Sequence, residues 1–152
     1  MPYDLLIRDL SSKVSQKAVG TDKGLAKIGD SIVNFVYSVA KSIFLTKNSV
    51  NNIIIRTGKK VNKNILADAL RKANLKAYAK TRADAHDLAD TVEALVAYVW
   101  LTGKVNLESL INIIHENLSG DLQSRTEETK KATIAFTKLL DFIKNYLPKS
   151  EK

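Results

Sequence analysis

Asp90 and Glu93 are two carboxylates three residues apart, inside a stretch (88–101) whose other residues are almost wholly apolar. On a helix, positions i and i+3 share a face, so the two side chains can converge on one point. Like charges held side by side away from water are costly unless a cation or strong donors compensate them. For an arbitrary D-x-x-E pair the plainer alternative is a pair that faces solvent. The apolar residues 94–101 that follow make a wholly solvated face uncomfortable and favour a metal-binding pair. A third acid, Asp30, interrupts another long apolar run that ends at Leu45. His86 stands four residues before Asp90 on the same face, within reach of a metal's water or a phosphate. The competing reading is an exposed histidine near a helix start. His115, Tyr98, Trp100 and Phe35 read as structural, core or interface residues.

Two blocks carry a resemblance. The first reads Leu25-Ala26-Lys27-Ile28-Gly29-Asp30-Ser31-Ile32. The second reads Ala89-Asp90-Thr91-Val92-Glu93-Ala94-Leu95-Val96-Ala97. Together they resemble the two signature helices of the ribonuclease III catalytic domain, and Asn64-Ile65-Leu66-Ala67 between them is similar to that family's intervening helix. The resemblance covers residues 20–118, with A-D-x-x-E-A-L as its specific part. Ala26 stands where the family carries a glutamate, and no carboxylate occurs from Lys47 to Arg56, where the family places another acid near Val50. Ala97 replaces a family glycine. The alanine at 26 is similar to the small Mini-III branch, which lacks a double-stranded-RNA-binding domain.

The resemblance implies an all-α, ribonuclease III endonuclease-domain-like helical bundle. It also implies a homodimer that cuts double-stranded or structured RNA with Mg2+, or with Mn2+ in its place. Asp30, Asp90 and Glu93 would then be the metal ligands, with Asp30 and Glu93 catalytic. Carboxylates suit magnesium because they hold it while several of its waters remain in place. Dimerisation in the family uses the first signature helix, whose apolar face here is Leu25, Ile28, Ile32, Phe35, Val36 and Val39.

Charge is distributed unevenly. The chain carries a net charge of +8, yet residues 41–80 hold ten bases against Asp68 alone, while residues 81–120 hold two bases against six acids. A basic half beside an acidic cluster suits a protein that grips phosphates and gathers metal ions nearby. A solvated, lysine-rich surface is the alternative. Lys59, Lys60 and Lys63, which follow Gly58 in the densest basic stretch, are the candidate RNA contacts. Cysteine is absent, so disulfides and thiolate metal sites are excluded. The start Met1-Pro2-Tyr3-Asp4 lacks a signal-peptide pattern, and charged or polar residues interrupt every apolar stretch, so a cytoplasmic protein without a membrane span is expected.

These residues need helices to position them. Apolar periodicity predicts helices over 5–17, 23–45, 62–73, 84–101, 107–118 and 126–146. Thr21 or Asp22 is expected to cap the second and Asn106 the fifth, with Gly103 and Gly120 as stops. Gly29 inside a helix implies a close helix contact. Ile53-Ile54-Ile55 is expected to form a short helix or turn rather than a strand. Residues 1–148 form one domain in this reading, with an extra C-terminal helix (125–147) beyond the family resemblance and a frayed tail at 149–152. Three functions fit: a metal-dependent endoribonuclease, a non-catalytic RNA-binding member of the same fold, and an all-helical interaction protein whose D-x-x-E match is accidental.

Overall fold

A computed structural model of the chain describes residues 1–10 and 14–149. It contains six α-helices among the described residues and no strand: α1 (Gln16–Gly20), α2 (Lys23–Lys47), α3 (Lys63–Lys72), α4 (Ala85–Leu101), α5 (Leu107–Glu116) and α6 (Arg125–Ile143). Short 3-10 turns lie at Pro2–Ile7, Lys76–Tyr78 and Lys144–Tyr146. The bundle is the all-α architecture expected.

Local chemistry explains most boundaries. Asp22 starts α2 by accepting a hydrogen bond from the Leu25 amide at 2.8 Å, and Asn106 does the same for α5 through Ser109. Asp84 and Asp87 cap α4 reciprocally. Gly103 adopts φ of +73° just beyond the end of α4, the left-handed conformation that ends a helix at little cost for glycine. Helix α5 ends earlier than expected, at Glu116 with Asn117 as its cap, and Gly120 (φ +76°) turns the loop beyond it.

The helix α4 is buried on every side over Val92 to Val99, as expected of a helix that is apolar all round. Around it, α2 packs on it most extensively, α3 flanks it, α5 lies on α2, and α6 closes over α3 and α5. Helix α2 is long and apolar enough, by length and composition, to cross a bilayer, which the sequence reading did not expect. Here one of its faces lies in the core through Leu25, Ile32, Val36 and Ala40, and another carries a polar stripe.

Two local expectations are overturned. Residues 5–17 do not form one helix: a 3-10 turn ends at Ile7 and α1 begins only at Gln16, while residues 11–13 lie outside the described part. Leu5 and Leu6 stay half exposed, so a helix there would bury no continuous face, and a lone short helix is marginal in water. Residues 53–55 are neither helix nor turn but extended. They begin a segment, 53–61, that lies along the polar stripe of α2. Ser49, Thr46, Ser42 and Ser38 each hydrogen-bond both the N–H and the C=O of Ile53, Ile55, Thr57 and Lys59 in turn, with N–H distances of 2.8–2.9 Å. Asn34 continues the series by accepting from the Val61 amide at 2.7 Å. Two extended residues rise roughly 6.6 Å and one helical turn about 5.4 Å, close enough for hydroxyls about one turn apart to serve alternate residues.

After Pro148, residues 150–152 of the expected frayed tail lie outside the described part. The carbonyl of Pro148 itself is held by the Tyr78 hydroxyl.

Candidate active site

Gly29 brings the two signature helices together. A Cβ on this residue would lie 1.7 Å from the backbone oxygen of Glu93, so α2 and α4 cross backbone against backbone there. The crossing sets Asp30, the next residue on α2, beside Glu93 near the middle of α4. Asp30, Asp90 and Glu93 line one cleft of about 370 Å³ with Ala26, Lys23, Lys27, Lys60 and Lys63.

The three acids sit in different surroundings. Glu93 is only 7% exposed, because it belongs to the fully buried stretch of α4. Burial first, then a hydrogen bond shared with Asp30 and the charges of Asp30 and Asp90, push its carboxyl up to about 8, against which Lys63 acts. Glu93 therefore holds a proton at neutral pH and shares it toward Asp30. Asp30 is exposed and accepts a long hydrogen bond from the Asn34 side chain at 3.4 Å. Asp90 pairs with Lys23 across the helix crossing at 3.1 Å, an ion pair that holds the Lys23 ammonium above its usual range.

Among the described residues, no three His, Cys, Asp or Glu side chains converge closely enough to hold a metal ion as they stand. The donor set nevertheless fits a hard divalent cation: every acid offers oxygen, and the retained proton and the Lys23 ammonium stand where positive charge is needed. Ala26 is buried at the cleft wall, where a glutamate would have added a further carboxylate.

Lys60 and Lys63 line the acid cleft, whereas Lys59 points its ammonium to Glu128 at 3.6 Å. His86 is exposed and its ring contacts the Lys63 ammonium, at 3.1 Å from Nε2. It does not line the acid cleft. The remaining nearby acids have other tasks: Asp22 and Asp84 cap helices, Asp68 pairs with Arg71, and Asp87 with Lys80. Trp100 stacks on Tyr3 with ring centroids 4.9 Å apart, and Tyr98 is buried.

Sequence reasoning missed Lys23, Lys27, Asn34 and Glu128. Asn34 had a signal, being four residues after Asp30 on one face. Glu128 also had one: it stands four residues before Ala132, in line with the apolar stripe of the last helix. In the fold it is buried, accepts the Tyr37 hydroxyl at 2.8 Å and pairs with Lys41 at 2.7 Å. Burial alone would raise its carboxyl, but Lys41, Tyr37 and Lys59 together hold it below the usual range.

A search of curated proteins finds no match to the chain. The family model described as Ribonuclease III matches residues 23–149, taking in both signature blocks and also the last helix, which the motif resemblance did not reach. With most of its length so matched, the chain belongs to the ribonuclease III family.

Proposed function

We propose that the protein is a metal-dependent endoribonuclease that hydrolyses phosphodiesters of double-stranded or structured RNA as a homodimer in the cytoplasm. The family implies RNA as substrate and divalent metals in general. The finer reading is carried by one observation: the Gly29–Glu93 crossing gathers Asp30, Asp90 and Glu93 into one cleft rimmed by lysines. Asp30, Asp90 and Glu93 would hold Mg2+, which supplies an activated water and stabilises charge on the phosphate and leaving oxygen. On metal binding Glu93 would release its proton to solvent, and Asp90 would divide its carboxylate between the metal and Lys23. Lys60 and Lys63 attract and orient the phosphates, with Lys59 behind them. A-form RNA is read through shape, phosphates and 2′-hydroxyls, which suits a basic surface without a base-reading motif.

The homodimer is supported by the outer face of α2. Phe35 is 53% exposed and, with Val39, Ile43 and Ile55, lines an apolar groove of about 540 Å³. Exposed Ile53, Ile54 and Val50 extend the apolar surface.

A second reading, a non-catalytic RNA-binding protein on this fold, is favoured by Ala26 and by the acid-free stretch from Lys47 to Arg56. Family membership leaves the accidental-match reading without support. The test is incubation with long double-stranded RNA in Mg2+, in Mn2+ and in chelator, beside the Asp90→Asn/Glu93→Gln double variant. The nuclease reading expects metal-dependent cutting that the variant loses. RNA that stays intact but shifts on a gel would establish the second reading.

A further inference from the structure

A second recess adjoins the acid cleft and shares Lys60 and Lys63 with it. Its volume is about 420 Å³, within the range of small-ligand pockets. One wall is the end of the extended segment, fixed to α2 through Ser38 and Asn34. The other walls are the first turns of α3 and α6, which contribute Lys63, Arg125 and Thr129.

Charge decides what fits. Glu128, the one carboxylate in the lining, is buried and already compensated by Lys41, Lys59 and the Tyr37 hydroxyl. Among the described residues, Lys60, Lys63 and Arg125 have no carboxylate within 4 Å. Three cations without an ion-pair partner therefore line one recess, Lys63 also touching the His86 ring, and the positive ends of two helix dipoles add to their field. A phosphate in mid-strand is a monoanion on a smooth backbone. A phosphomonoester approaches two negative charges, and as a chain end it can enter a recess. The pocket's shape and surplus charge both favour the monoester.

We propose that this pocket binds a phosphomonoester carried by a nucleotide, either a free mononucleotide or the phosphorylated end of an RNA strand, with Lys60, Lys63 and Arg125 as its cationic contacts. The strand-end source rests on the nuclease reading; the phosphate chemistry does not. A strand end held here would lie one lysine away from the acids.

The test is binding in chelator, so that it reads independently of cleavage. Adenosine 5′-monophosphate and adenosine are titrated by calorimetry, with amide shifts followed by NMR. The expected result is saturable binding of the monophosphate alone, with shifts at residues 59–63 and 125–129. Arg125→Gln should weaken it about tenfold and Arg125→Lys much less, as for removal of one charge-assisted hydrogen bond. The Asp90→Asn/Glu93→Gln variant should still bind. Equal binding of adenosine, no binding at millimolar ligand, or full affinity in a folded Arg125→Gln protein would overturn the proposal. A short RNA duplex with 5′-phosphate or 5′-hydroxyl ends then separates the sources. Tighter binding of the phosphorylated duplex, abolished in Arg125→Gln, identifies the strand end. Monophosphate binding with no such difference identifies a free nucleotide.

Discussion

Replacing Glu93 by glutamine should make the metal-free protein more stable at alkaline pH and leave it nearly unchanged at acid pH. The side chain is 7% exposed and its carboxyl is pushed from 4.5 up to about 8 by burial and by Asp30 and Asp90. A carboxyl raised in the folded state binds its proton more tightly there than in the unfolded chain. Its contribution is then fully present below about pH 4.5 and is lost as pH rises through about 8. At 1.36 kcal/mol per pKa unit, the whole change amounts to at most roughly 5 kcal/mol, and less where water in the cleft screens the charge. Glutamine has nearly the same shape, carries no charge at any pH and can donate to Asp30. The assay is urea unfolding in chelator from pH 5 to pH 9 for both proteins. Their difference should open by a few kcal/mol across that window, with the variant above the wild type at pH 9. Saturating Mg2+ should narrow the gap at pH 8, since a ligand at a hundred times its Kd adds ~3 kcal/mol to the protein that binds it. Parallel stability curves would refute the placement of Glu93 in a crowded, buried acid cluster. A magnesium gain equal in both proteins would remove Glu93 from the metal site.

Gly29→Ala should lower stability by about 3 kcal/mol or more in thermal unfolding, because its methyl meets the backbone of Glu93 and the two helices must part. Glu128→Ala should cost roughly 3 kcal/mol by leaving Lys41 buried without its partner, and Tyr37→Phe about 1 kcal/mol, both read by urea unfolding. Phe35→Asp should leave the fold intact, as the residue is half exposed, and yield a monomer in light scattering, whereas the proposed homodimer predicts a dimer for the wild type. Replacing Lys60 and Lys63 by glutamine should weaken RNA binding at low salt and make its salt dependence shallower, by about 0.7–0.9 for each phosphate no longer neutralised.

Much of the helical plan was legible because its signals are local. Asp22, Asn106 and Gly103 act within a turn of where they stand, so their types suffice to mark the ends of helices, whereas α5 stops at Glu116, short of Gly120. The 5–17 expectation failed because a run of apolar residues says nothing about whether a surface exists to cover it. The Ile53–Ile55 expectation failed for a related reason. Asn34, Ser38, Ser42 and Thr46 recur every four residues, but the stripe acquires meaning only when an extended partner lies along it.

The family, the helical class and the spacing that puts Asp90 and Glu93 on one helix face could be read from the chain, because motif and periodicity are properties of neighbours along it. The different characters of the three acids arise in the folded protein. Folding buries Glu93 and pushes its carboxyl up, exposes Asp30, and ties Asp90 to Lys23 across 67 residues. It also turns Glu128 inward and gathers Lys60, Lys63 and Arg125 around a recess. Desolvation and Coulomb energy depend on distance and burial in space, and these are set by which helices cross and where.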